Sequence, residues 1–121
     1  MKIAIGGMQK NQMQQEIARV CPEVETVITN DMNAASMLKK GEADYYIGAC
    51  ESGGGSAIAI LIGLMGYNKC CTVCKNGGDP KREEMEKFVA EGKLCFGMTV
   101  SQIENTVPIL MQVLTEHENR T

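Results

Sequence analysis

The chain has no tryptophan, two phenylalanines, three tyrosines and a single histidine among 121 residues. So few aromatics leave the core to aliphatic and thioether side chains, and nine methionines are present to fill it. The one histidine, His117, stands near the C-terminal end. That excludes a histidine-rich zinc centre, and a cysteine–histidine pair would need the tail to fold back. There is no basic stripe for nucleic acid: charges of both signs are spread along the chain, with a formal net charge of −3. There is no membrane-length apolar run. The longest, over 57–66, has ten residues, against the roughly 20 a spanning helix requires. Met1-Lys2 leads directly into Ile3-Ala4-Ile5 and glycines, unlike a secretion leader, so the expected location is cytoplasmic.

What is present is sulfur and glycine. Cys21, Cys50, Cys70, Cys71, Cys74 and Cys95 sit mostly within apolar runs. In a reducing compartment such thiols behave as small buried hydrophobes rather than a disulfide framework. "CCTVC" contains a Cys-x-x-Cys pair, Cys71 and Cys74, inside a predicted strand. Alternation would point the two to opposite faces, and too few further ligands accompany them, so no metal site is expected.

Length predicts one domain over 1–121. Within it, apolar runs alternate with helical periodicity. "KIAIGG", "VETVIT", "DYYIGAC", "KCCTVCK" and "KLCFGMT" read as strands. Between them, Met13, Ile17, Val20 and Cys21 recur at helical spacing. A helix over 32–40 is capped by Asn30 or Asp31 and stopped by Gly41. A third helix over 55–65 ends at Gly66. In the fourth, Asp79 is the expected cap, Pro80 the first helical residue, Gly92 the stop, and Met85, Phe88 and Val89 the buried stripe. Ser101 and Glu104 form a capping-box pattern for the last, in which Pro108 predicts a kink or restart. Alternating strands and helices imply an α/β fold: a three-layer, doubly wound sheet of about five parallel strands, in the common order 2-1-3-4-5.

Ligands of such sheets bind at the carboxyl ends of the strands, where the order reverses. Gly6 and Gly7 end the first strand, Gly53, Gly54 and Gly55 follow the third, and Asn76, Gly77 and Gly78 follow the fourth. In the order 2-1-3-4-5 these clusters meet at one edge. Cys50, Ser52 and Ser56 add a thiol and two hydroxyls to the third-strand loop, which also opens a helix. That is the composition of a cradle for a phosphate or carboxylate, and equally of a tight strand-to-helix turn. A small anionic or phosphorylated metabolite is the partner it suggests; no cofactor can be named. The loop is neither a P-loop nor a dinucleotide fingerprint, and Ser56 stands where a Cys-x5-Arg phosphatase needs arginine.

Cys50, beside Glu51, is the candidate catalytic thiol, or a buried strand-end cysteine. Lys75, Lys81 and Arg82 can bring positive charge to the same edge, with Asn30, Asp31 and Thr99 at its periphery. The helix from Ala57 through residue 65 has no polar residue, so both its sides call for cover. A second copy of the chain is the simplest cover, making a homodimer or higher oligomer; a neighbouring helix of the same chain is the other.

The segments "TNDMNAA", "ADYYIGAC", "SGGGSAIAI", "IGLMGYNKCCTV" and "AEGKLCFGMTV" resemble the YhfU-like bacterial proteins, a family of unknown function, over essentially the whole chain. More distantly, a strand ending in cysteine and followed by a glycine-rich turn is similar to the ribose-5-phosphate isomerase B fold. Cys50, Gly53 and Gly55 would fall on that loop. Those isomerases carry Asp-His at the first strand, where this chain has "GGMQ", so the resemblance implies a phosphosugar-type site rather than the isomerase reaction. The architecture also resembles the phosphocarrier IIB proteins of sugar uptake, whose cysteine follows the first strand; Gly6-Gly7 occupies that place here.

Overall fold

The structure is a computed structural model that describes residues 1–53 and 58–120. Its elements, in order, are β1 (Lys2–Gly7), α1 (Lys10–Val20), β2 (Glu25–Ile28), α2 (Asp31–Lys39), β3 (Tyr45–Cys50), α3 (Ala59–Met65), β4 (Cys70–Cys74), α4 (Arg82–Ala90), β5 (Cys95–Thr99) and α5 (Ile103–Asn119). Short 3₁₀ turns precede β4 and α5. The five strands form one parallel sheet with helices on both faces.

The strand order is 2-1-3-5-4, not 2-1-3-4-5. β5 lies between β3 and β4, pairing Ile47 with Phe96 on one side and Phe96 with Cys71 on the other. The physical reason is burial. Every residue of β5 is buried, as a central strand requires, whereas β4 leaves Thr72 half-exposed and is flanked by Lys69 and Lys75. Lysines and a partly wet face suit a sheet edge.

The two faces differ in side-chain size. One carries Ile3, Ile5, Ile47, Phe96 and Met98 against α1, α4 and α5. The other carries Ala4, Tyr46, Cys70 and Cys95 against the small residues Ala34 and Ala35 of α2 and Leu61 of α3. On α5, Ile103, Val107, Leu110, Met111 and Leu114 lie wholly in the first core. β4 slips by one residue against β5 after Thr72, so Cys74 pairs with Met98. This β-bulge puts Cys71 and Cys74 into the same core cluster, overturning the opposite faces that strict alternation predicts.

Some helix ends follow local chemistry and others do not. Asn30 caps α2, its Oδ1 accepting from the Asn33 N–H at 2.8 Å. α4 starts at Arg82 rather than at Pro80, and no side chain caps it. Arg82 reaches Glu116 of α5 at 2.6 Å, and Glu83 and Glu84 complement the helix dipole. Ser101 forms no capping box: its hydroxyl lies 3.3 Å from that of Thr99, and Gln102 holds the cap position. α5 is one continuous helix through Pro108, with no restart. The third helix begins at Ala59; Gly55, Ser56 and Ala57 lie outside the described residues. Its outer face is exposed: Ile60 is 49% exposed and Leu64 38%. Among the described residues no helix is long and apolar enough to cross a membrane.

All six cysteines are buried. Burial pushes the Cys71 thiol up to about 12, and moves Cys70 and Cys95 in the same direction. Unfolded thiols ionise near pH ~8.5, while these stay protonated in the fold. The folded state therefore binds more protons above that pH, and stability falls as pH rises towards about 12. The urea midpoint should drop between pH 8 and 9.5, and drop less in Cys71→Ala. A midpoint independent of pH over that window would contradict thiols held neutral by burial.

Candidate functional site

The site is built where β1 and β3 end side by side. Gly6 and Gly48 are register partners, and Gly48 is in turn opposite Gly97 of β5, a row of three glycines across the centre of the sheet. One step back in register on the same face stands Tyr46. Its ring is fully buried, and its hydroxyl reaches along the row to donate to Asp31 Oδ1 at 2.6 Å. A Cβ on Gly6 would sit 2.7 Å from both that hydroxyl and the carboxylate oxygen. One on Gly48 would fall on the hydroxyl itself. The glycines are therefore the space that the Tyr46–Asp31 pair occupies. Burial, then the hydrogen bond to Asp31, raise the Tyr46 phenol far above its ordinary value, so it stays a donor.

Asp31 also lines a cavity of about 750 Å³ at this edge, with Gly7, Lys10, Asn33, Ser36 and Ile60. The turn from β1 into α1 is unusual. Gly7 has φ +75° and packs on the Ala49 backbone, and Gln9 is left-handed at φ 53° without being glycine. Such a conformation costs on the order of 1–3 kcal/mol and concentrates at functional sites. α1 then starts with no capping side chain and no acid in its first turn, and Lys10 is its first residue. An uncapped helix start, an ammonium and one carboxylate thus share the lining of this cavity.

Cys50 follows Tyr46 and Gly48 on the same face of β3. Its sulfur accepts the Gly53 N–H at 3.1 Å, with the Ser52 hydroxyl 3.8 Å away. Gly53, at φ +65°, packs against Cys74 O and Thr99 N, where a Cβ would come within 2.7 and 2.8 Å. Thr99, read from sequence as peripheral, is fully buried and donates to Glu51 O at 3.0 Å. The Glu51 residue is itself exposed.

The fourth-strand cluster is not the direct neighbour that the expected order made it, because β5 intervenes. Asn76 reaches across, its N–H donating to Ser52 O at 2.8 Å. Gly77 and Gly78 complete a turn closed by Gly78 N–H to Lys75 O, and neither lines the cavity. Gly54, Gly55 and Ser56 lie outside the described residues. Lys81 holds the cap position of α4 without a side-chain cap, and Arg82 pairs with Glu86 and Glu116; neither lines the cavity. His117 lies fourteen positions along α5, roughly 20 Å from its start at this edge, among Arg82 and Arg120. Among the described residues no cluster of three or more His, Cys, Asp or Glu could hold a metal.

The model of the family described as "Protein of unknown function DUF2620" matches residues 1–114. The chain belongs to this family. It is 44% identical over 114 residues to the uncharacterized protein YhfU of Escherichia coli K12 and of Shigella flexneri, covering 93% of this chain and 97% of theirs. The fold is that of the type B ribose-5-phosphate isomerases. The Giardia lamblia enzyme superposes with a TM-score of 0.67 at 15% identity, covering 95% of this chain and 94% of that one. The Trypanosoma brucei enzyme does so at 0.62 and 18%, covering 98% and 93%.

Lys10, Asn33, Ser36 and Ile60 were not legible as site residues in the sequence. A signal did exist for the Tyr46–Asp31 pair. Three strands each carry glycine near the carboxyl end, at Gly6, Gly48 and Gly97, which marks a shared groove once register is known. Gly48→Ala should destabilise the protein by about 1–3 kcal/mol through overpacking. In a Tyr46→Leu background the same change should cost less, because the ring that the methyl meets is gone. Chemical denaturation of the four proteins measures this, and equal costs in both backgrounds would refute the groove.

Proposed function

We propose that the chain binds a small anionic metabolite, of the sugar-phosphate class, in the cavity at the carboxyl ends of β1 and β3. The observation that carries this reading is the uncapped start of α1, with Lys10 lining a cavity that Asp31 also lines. The helix start and the ammonium suit a phosphate or carboxylate, and a carboxylate held by Tyr46 suits hydroxyls. Cys50, Ser52 and Gly53, with Gly6 and Gly7, belong to the same edge in this reading; Gly54, Gly55, Ser56 and Asn76 to Gly78 extend it. The likeness of fold to the type B ribose-5-phosphate isomerases supports the ligand class. It does not extend to their reaction.

Isothermal titration with ribose 5-phosphate and with inorganic phosphate tests this. Lys10→Ala should weaken both ligands, and Asp31→Asn the sugar phosphate alone. Ligand at ten times its dissociation constant should raise stability by about 1.4 kcal/mol. Failure of sugar phosphates, phosphate and small carboxylates to bind would remove the reading.

A second reading, a regulatory or scaffold subunit acting through an oligomer interface, is favoured by the outer face of α3. Ile60 and Leu64 are exposed there beside Met32, which is 70% exposed. Light scattering should find a dimer or larger in the native chain and a monomer in Ile60→Asp/Leu64→Asp. A native monomer at high micromolar concentration would count against it.

A further inference from the structure

A second cavity, of about 370 Å³, runs along the outer edge of β4 and shares no lining residue with the first. Its floor is Cys70, Cys71 and Thr72 of the edge strand. Ile58 and Ile62 wall it from the α3 side and Phe88 from the α4 side. The mouth carries Tyr67, Lys75 and Lys93, with the Lys93 ammonium 5.8 Å from the Tyr67 ring centroid. Among the described residues no carboxylate lines it; Glu91, close enough to influence Cys71, is not part of the lining.

Lysines beside an edge strand guard it against pairing with another sheet, and that accounts for the two charges. It does not account for the rest. Tyr67 is left 77% exposed at the mouth of a cavity whose walls are isoleucine and phenylalanine. An apolar slot with an aromatic ring and two cations at its rim matches one kind of ligand: a flat apolar body with an anionic head. The volume is within the roughly 300–1,000 Å³ of small-molecule sites.

We propose that the β4 edge is a second binding site, specific for a planar aromatic or heteroaromatic anion. The ring system enters between Ile62 and Phe88 and stacks beside Tyr67. Lys75 and Lys93 pair with the carboxylate, sulfonate or phosphate. The thiols of Cys70 and Cys71 are neutral floor and take no part in charge recognition, since burial raises both.

The test uses 8-anilinonaphthalene-1-sulfonate, followed by fluorescence, with its uncharged analogue N-phenyl-1-naphthylamine as control. The native chain should bind the sulfonate saturably at one site, and the analogue more weakly by about tenfold. Lys75→Gln/Lys93→Gln should raise the dissociation constant for the sulfonate by about tenfold and leave that for the analogue unchanged. Tyr67→Ala should weaken both probes. Ile60→Asp, on the other side of α3, and Lys10→Ala, in the first cavity, should change neither. Circular dichroism melting of each variant confirms the fold, and the analogue titration reports an intact slot. Equal affinity for the two probes, or insensitivity to both lysines, overturns the site. So does loss of sulfonate binding in Ile60→Asp, which would assign the dye to the exposed face of α3.

Discussion

The hydroxyl of Tyr46 is carried by a ring with no access to solvent, and a buried phenol without an acceptor is costly. Asp31 supplies the acceptor at 2.6 Å, and much of the carboxyl edge follows from that one bond. It requires glycine at positions 6 and 48, since a Cβ at either would occupy the path of the hydroxyl. It holds the first residue of α2 against the end of β1. It leaves the face of the sheet beneath α2 and α3 lined by alanine, cysteine and glycine, while the opposite face carries the larger side chains.

The position of β5 decides the rest of the edge. As a central strand it puts Thr99 directly beside Cys50, and the Thr99 hydroxyl fastens the chain as it leaves β3. The loop after β4 then has to bridge a strand to reach that segment, and does so through one backbone hydrogen bond from Asn76 to Ser52. The glycines of the three clusters consequently have different work. Gly7 and Gly53 allow close approach to neighbouring backbone, at Ala49 and at Cys74 and Thr99, whereas Gly77 serves a turn. Strain at Gln9 and the bare start of α1 are confined to the β1 side, where Lys10 stands.

Local reasoning read the elements well because the signals are local. Asn30 caps because its side chain reaches an N–H three residues on, and Gly41, Gly66 and Gly92 stop helices by adopting positive φ. It failed where a distant group competed. Ser101 turned to Thr99 instead of its own helix, and α4 starts where Arg82 can reach Glu116 rather than at Asp79-Pro80. The bulge after Thr72 similarly escapes a strict period of two and puts Cys74 on the side of Cys71. Of the candidate site, the edge and Gly7 were legible. Asn30 and Asp31 were expected only at its periphery, and Lys10 was not assigned a place, because a lysine is not informative until the end of β1 and the start of α2 are brought together.

By itself the sequence determined five strands alternating with five helices, the apolar side of each amphipathic helix, and membership of its family. These depend on periodicity and on neighbours a few positions apart. The tertiary structure alone decided that β5 is central, that three in-register glycines make a groove for Tyr46, and which charges face each cavity. Strand order and register are pairings between distant segments. They are chosen by how completely each strand can be buried on both faces, a property that no short stretch of the chain carries.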